Sequence, residues 1–149
     1  MIEPRHRLIP LSSGVELHVL EWLPTNEPSD TPFLLTHGLA SNARLWDGVA
    51  WRLAERGHRV IAVDQRGHGR SSKPDGPYDV TTCADDLALL IDSVGFELPP
   101  LVAGQSWGGN VVLELGFRHP DSVRLVACVD GGFIDLQERF ESWEACATA

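Results

Sequence analysis

Residues 101–112 read LVAGQSWGGNVV, and this stretch decides the fold. Its apolar start predicts a strand, and the apolar residues after Gly108 have the spacing of a helix. Between them the letters GQSWG have the form G-x-S-x-G, which places a serine on a sharp strand-to-helix turn. Glycines at 104 and 108 avoid crowding there, and the Trp107 N–H would point at an oxyanion beside Ser106. The pattern predicts that Ser106 is a nucleophile.

Short apolar runs alternate with helical patterns along the rest of the chain. Such runs are typical of strands buried on both faces of a parallel sheet, and strands that alternate with helices predict an α/β fold. We therefore expect a doubly wound, mostly parallel sheet with helices on both faces. The predicted strands are Phe33–Thr36, Arg59–Val63, Pro99–Ala103 and Arg124–Val129, after an antiparallel pair at Arg5–Pro10 and Val15–Trp22. The predicted helices are Leu45–Arg56, Asp79–Val94 and Trp107–Arg118.

Composition narrows the classes of partner. The 149 residues are 43% hydrophobic and carry a net charge of -9, which argues against nucleic acids and anionic membrane surfaces as ligands. The three cysteines, at 83, 128 and 146, lack metal-ligand spacing, so no zinc site or disulfide framework is expected. With no secretory signal or membrane span, we expect a cytoplasmic protein that binds a small-molecule substrate, without a cofactor or metal. The oligomeric state stays open.

Three motifs in order resemble the α/β-hydrolase fold superfamily. His37-Gly38 follows one predicted strand, DQRGHGRS at 64–71 follows the next, and the serine turn follows the third. The resemblance covers residues 5 to about 132. It implies that residues 1–149 are the N-terminal part of such a domain, with a cap region starting at about 133–149 and the C-terminal part missing.

The resemblance also implies roles for individual residues. Ser106 corresponds to the nucleophile, and the N–H groups of Leu39 and Trp107 correspond to the oxyanion hole. His37 and Gly38 correspond to the residues that shape the oxyanion loop. Residues 64–71 correspond to a loop that braces neighbouring backbone and takes no part in the chemistry.

The acid and the base of a catalytic triad are harder to assign. The superfamily order is Ser, then Asp or Glu, then His, and the only later histidine, His119, lies roughly 18 Å from Ser106 along the helix. The chain is therefore expected to lack the catalytic base, with His37 as a weak substitute. We expect His6, His18 and His58 on the surface. Asp130, at the end of the last predicted strand, is the candidate acid or, alternatively, the start of an Asp-Gly-Gly turn.

Two functions follow from this pattern. The first is a serine hydrolase that cleaves a small or medium apolar ester-like substrate through an acyl-enzyme. The resemblance implies this substrate class, because epoxide hydrolases of the superfamily carry aspartate where this chain has Ser106. Its pocket would be lined by Trp46, Trp107, Phe133 and Trp143. The second is a non-catalytic, truncated hydrolase-like binding module. A dinucleotide-binding domain is excluded, because no G-x-G-x-x-G follows the first parallel strand.

Overall fold

The sheet and its helices are visible in a computed structural model, which describes residues 3–131 and 142. The strands are β1 (Arg5–Pro10), β2 (Glu16–Trp22), β3 (Phe33–Thr36), β4 (Val60–Val63), β5 (Leu101–Gln105) and β6 (Leu125–Val129). The helices are α1 (Asp47–Glu55), α2 (Val80–Val94) and α3 (Trp107–Arg118), with short 3-10 helices at Ala43–Trp46 and Pro120–Ser122. No helix within the described residues has the length and apolar character needed to cross a bilayer.

The six strands form one sheet in the order β1-β2-β4-β3-β5-β6. β1 pairs with β2 and β2 with β4 in antiparallel fashion, whereas β4, β3, β5 and β6 are mutually parallel. The predicted mostly parallel sheet with an antiparallel N-terminal pair is therefore confirmed. β5 begins two residues later than predicted, because Pro99 and Pro100 have no N–H to donate to a neighbouring strand.

Helices cover both faces of the sheet, as predicted. Successive strand residues point to opposite faces, so Leu34 packs with α2 and α3 while Leu35 packs with α1. In β4, Ile61 and Ala62 divide between the same two clusters. The continuous apolar runs of these strands thus fill two separate cores.

The helix ends follow local hydrogen bonding. Asp79 caps α2 by accepting the Thr82 N–H at 2.8 Å, and Gly95 ends it in a left-handed conformation with φ 65°. The predicted helix Leu45–Arg56 is divided in two. It begins as the 3-10 helix Ala43–Trp46, because the Asn42 side chain accepts the N–H of Arg44 and tightens the first turn.

The prediction that Arg124–Val129 is buried on both faces is wrong at the strand ends. Leu125 is 53% exposed and Val129 is 44% exposed. Val126 and Cys128 pack towards α3, whereas the described residues leave the other face less covered. β6 has β5 as its only strand neighbour in the described sheet.

Candidate active site

Ser106 lies where β5 turns into α3, as predicted. Its backbone has φ 52° and ψ -123°, a conformation that side-chain-bearing residues rarely adopt. Two hydrogen bonds hold this turn: the Ser106 N–H donates to the Val129 carbonyl at 2.9 Å, and the Ser106 carbonyl accepts the Gly109 N–H at 2.8 Å. The strained serine is therefore fixed by the neighbouring strand and by the first turn of α3.

Close backbone contacts explain the three glycines around Ser106. A Cβ at position 104 would lie 2.0 Å from the Gly108 carbonyl oxygen, and one at 108 would lie 2.5 Å from that of His37. A Cβ at Gly38 would lie 3.0 Å from the Ser106 Cβ. These contacts bring the predicted loop residues and the serine turn together at one edge of the sheet.

Two backbone N–H groups, one in the serine turn and one in the loop after β3, have no acceptor among the described residues. Trp107 is the first residue of α3, so its N–H lacks a partner within the helix. Leu39 follows Gly38, and its side chain is 62% exposed. Neither N–H donates a hydrogen bond to any acceptor in residues 3–131 or 142. The residues predicted for an oxyanion hole therefore keep free donors.

His37 is fully buried and both of its ring nitrogens are engaged. Nδ1 donates to the Gly38 carbonyl at 2.6 Å, and Nε2 accepts the Gln65 N–H at 3.1 Å. The His68 ring packs edge-on against it, with ring centroids 4.9 Å apart. Burial lowers the pKa of His37 below its ordinary value, so the ring is neutral with its proton on Nδ1. This side chain holds backbone groups and has no nitrogen left for Ser106.

The other histidines also bond elsewhere. His18, predicted on the surface, is buried against Asp64, so that prediction is wrong; its partner lies 46 residues away along the chain. The described residues include all six histidines, and none of them hydrogen-bonds to Ser106. Among the same residues, no group of three His, Cys, Asp or Glu side chains is arranged to bind a metal ion. The remaining contacts are His6 with His18, His58 with the Thr31 carbonyl, His68 with the Arg66 carbonyl, and His119 with Asp85.

Asp64 joins three segments at the same edge of the sheet. Its Oδ1 accepts the Ala43 N–H at 2.8 Å, and its Oδ2 accepts the Arg70 N–H at 3.0 Å and the His18 ring at 2.8 Å. Its carbonyl accepts the Ser71 hydroxyl. Burial opposes ionisation, but the N–H donors and His18 outweigh it and lower the pKa of Asp64. The carboxylate thus ties the loop after β3 to β2 and to the loop after β4.

We expect Asp64→Asn to cost about 3 kcal/mol in the free energy of unfolding, because its amide group would face donors now bound by Oδ2. Since the folded-state pKa lies below the ordinary 3.8, the advantage of the carboxylate is complete above about pH 5 and is lost as pH falls through 3.8 and then through the lower folded-state pKa. Urea unfolding at pH 7 and at lower pH measures both effects. Asp75→Asn, at an exposed loop position, is the control. Equal destabilisation by the two variants would contradict this role for Asp64.

Asp130 follows β6 in a left-handed conformation with φ 53°. Its side chain is exposed and makes no hydrogen bond or ion pair within residues 3–131 or 142, so it does not bond its own turn there. A Cβ on the next residue, Gly131, would lie 2.0 Å from the Ser106 carbonyl oxygen. The segment that carries Asp130 therefore lies against the backbone of the serine turn.

The predicted pocket lining is only partly described. Trp46 does not line a site near Ser106: it is 6% exposed and packs in the core with Leu20 and Leu35, so that prediction is wrong. The 3-10 turn directs Trp46 into the core. Trp107 is half-buried, whereas Phe133 and Trp143 lie outside the described residues, as does most of the predicted cap region at 133–149.

Several known proteins are similar to this chain. Epoxide hydrolase A of Mycobacterium tuberculosis is 38% identical over 85% of the chain and 38% of its own length. The 2-(acetamidomethylene)succinate hydrolase of Mesorhizobium japonicum is 38% identical over 72% of the chain and 38% of its own length. The crystal structure of E-2-(acetamidomethylene)succinate hydrolase superposes with a TM-score of 0.79 and 30% identity, over 90% of this chain and 47% of that one.

The chain thus spans well under two thirds of the length of these relatives. The profile of the alpha/beta hydrolase fold family matches residues 31–147, which include β3 to β6 and the serine turn. This match over most of the sequence, together with the observed sheet, shows that the chain belongs to the α/β-hydrolase fold family.

Proposed function

We propose that the protein is a serine hydrolase that cleaves small or medium apolar ester-like substrates through an acyl-enzyme on Ser106. The observation that carries this proposal is the strained Ser106 turn with two unpaired N–H donors beside it. Ser106 Oγ attacks the substrate carbonyl carbon, the carbonyl oxygen becomes an oxyanion, and the alcohol then leaves. Water releases the acid in a second step.

The oxyanion hole consists, in this proposal, of the N–H groups of Leu39 and Trp107. The Gly38 carbonyl and the Leu39 N–H belong to one trans peptide, so they point in opposite directions. Because His37 holds the Gly38 carbonyl, it also fixes the Leu39 N–H, which points away from the His37 ring. Donors fixed before the reaction stabilise developing negative charge without reorganisation.

We propose that the proton of Ser106 is taken by a base that is not among the six histidines of this chain, since none of them hydrogen-bonds to Ser106 in the described residues. We propose that a histidine outside these 149 residues performs this step. Asp130 is the candidate acid that orients it, supported by its unpaired carboxylate next to the serine turn. The resemblance implies that most superfamily members take this acid from a later strand, so the assignment needs its own variant, Asp130→Asn.

The proposed substrate class rests on the nucleophile. One relative is named for epoxides and another for an acetamidomethylene succinate. The resemblance implies aspartate at the elbow of epoxide hydrolases, and Ser106 therefore favours carbonyl substrates. The exposed Leu39 side chain beside the turn supports an apolar group on the substrate.

A non-catalytic binding module is the second candidate. It is supported by one observation, the lack of a histidine bonded to Ser106 in the described residues. In such a module the serine would be chemically ordinary. The reactivity of Ser106 therefore distinguishes the two functions.

Acetylation by p-nitrophenyl acetate is the test. We expect one acetyl group to accumulate slowly on Ser106 during a long incubation, detected by peptide mass spectrometry. The N–H donors and the good leaving group still permit attack, whereas without a base the acyl-enzyme is not hydrolysed efficiently. Ser106→Ala should remove the label. Ser93→Ala, which deletes an exposed helical hydroxyl, should retain it. If Ser106 acquires no more label than Ser93 does, the hydrolase proposal fails and the binding module is favoured.

A further inference from the structure

A second concave site lies on the other side of β3 from Ser106. This cavity, of about 230 Å³, is formed by β1, β2 and the loops that follow β3 and β4. Its polar lining consists of His6, His18, Asn42, Arg44, Asp64 and Arg70. None of these residues was assigned a role in the chemistry at Ser106, so we call this separate cavity the Arg70 pocket.

A hydrogen-bonded row of three side chains forms its wall. Asp64 only accepts, so the His18 Nδ1 that lies 2.8 Å from it carries a proton. With a single ring proton on His18, its Nε2 is an acceptor, and the His6 Nδ1 at 2.9 Å then donates to it. This leaves His6 Nε2 without a partner among the described residues. A proton added there would give His6 a second N–H and a positive charge.

Arg70 is the unpaired charge of this cavity. Within the described residues no carboxylate lies within 4.0 Å of its guanidinium, and its one side-chain contact is 3.4 Å from Nη1 to His6 Nδ1. That contact engages at most one of the five guanidinium N–H groups. Arg44 is different, because Asp47 accepts from it at 2.8 Å and the exposed Glu3 lies 3.6 Å away. Arg70 therefore retains donors for an external acceptor.

We propose that the Arg70 pocket binds a small oxyanion, a phosphate or carboxylate group, through the guanidinium of Arg70 and through His6, which takes up one proton on binding. A planar guanidinium donates two parallel hydrogen bonds to such a group. The buried His18–Asp64 pair holds His6 in place from behind. Asn42 and Arg44 form the adjacent rim.

The charges around His6 set the direction of the pH dependence. Burial, then His18, Arg70 and Arg44, lower the pKa of His6, and Glu3 opposes them. A bound anion adds negative charge and raises this pKa, so binding and protonation favour each other. The affinity for the anion therefore increases as pH falls through the pKa of His6 in the complex, and it levels off only below the pKa of His6 in the free protein, which lies below the ordinary 6.5.

Isothermal titration calorimetry of the protein with inorganic phosphate, and separately with acetate, tests this proposal. We expect saturable binding in the millimolar range. Arg70→Gln should weaken it by about tenfold or more, since charge-assisted hydrogen bonds are lost while the backbone N–H to Asp64 remains. His6→Gln should abolish the proton uptake, which is measured as a dependence of the binding enthalpy on the buffer. Arg52→Gln, which removes an equal charge from an exposed position on α1, should bind like the wild type.

The two anions distinguish the source of the ligand. Binding of phosphate alone identifies a phosphoryl group as the ligand, and comparable binding of acetate identifies a carboxylate. The proposal is overturned if neither anion binds, if Arg70→Gln binds as tightly as the wild type, or if the enthalpy does not depend on the buffer. Circular dichroism of each variant verifies that the fold is retained. None of these outcomes depends on Ser106.

Discussion

The 149-residue chain should turn over p-nitrophenyl acetate no faster than about 10³–10⁴ times the rate in water, which is the enhancement that remains when a triad member is absent. In the proposed mechanism, Ser106 attacks the substrate and the N–H groups of Leu39 and Trp107 stabilise the negative charge that develops on it. Without a base, however, solvent has to take the serine proton, so acylation is slow, and water is not activated for deacylation. Steady-state release of p-nitrophenol, measured after the single acetylation of Ser106, tests this expectation.

A turnover of about 10 per second, as for an ordinary enzyme, would contradict it if Ser106→Ala abolished that activity. His37→Ala would then be the next variant, because its neighbour Gly38 lies so close to the serine turn that a Cβ there would be 3.0 Å from the Ser106 Cβ. In that case His37 would have to leave the Gly38 carbonyl and the Gln65 N–H during the reaction. Unchanged turnover in His37→Ala would direct attention to an acceptor other than histidine.

Gly104→Ala should lower the free energy of unfolding by about 3–5 kcal/mol, an exceptionally large effect for one methyl group. The new Cβ would lie 2.0 Å from the carbonyl oxygen of Gly108 and 2.7 Å from the N of Gly109. Neither β5 nor α3 can move away easily to relieve this clash. β5 is paired with β3 and β6 at Gly104, and the atoms that the new Cβ would contact belong to the backbone of α3. Urea denaturation measures the loss.

Gly48→Ala is the matched control. Gly48 lies in the first turn of α1, and a Cβ there would have no heavy atom within 4 Å. Alanine is the better helix former, so this variant should gain about 0.5–1 kcal/mol. If Gly104→Ala were as stable as the wild type, the close approach of β5 and α3 would not constrain the serine turn.

Much of the fold could be predicted because parallel strands buried on both faces have continuous apolar sequences. VIAV at 60–63 is an example, with alternate residues in two cores. His18 and Glu21 could not be assigned in the same way. Both residues lie in a strand that is almost entirely buried. His18 pairs with Asp64, and Glu21 pairs with Arg7 and Arg59, all of which are distant along the chain. Periodicity carries no information about such pairs.

The parts of the candidate site whose positions follow from the strand order alone could be predicted from the sequence. The carboxyl ends of β3 and β5 are adjacent, with Thr36 opposite Gly104, so Gly38 had to approach Ser106. Trp46 marks the limit of this reasoning: it ends a 3-10 turn, and its side chain packs in the core and not beside Ser106. The Arg70 pocket could not be predicted from the sequence either, since its walls come from four segments that only the folded sheet brings together.

The position of β4 has a consequence for synthesis of the protein. β4 lies between β2 and β3 in the sheet although it follows both in the chain. On the ribosome, the β1–β2 hairpin and β3 therefore emerge with no shared neighbour, and they become one sheet only when residues 60–63 insert between them. β5 and β6 then add in order of synthesis to the free side of β3. Assembly of the nascent chain thus has one internal insertion, followed by growth at a single edge.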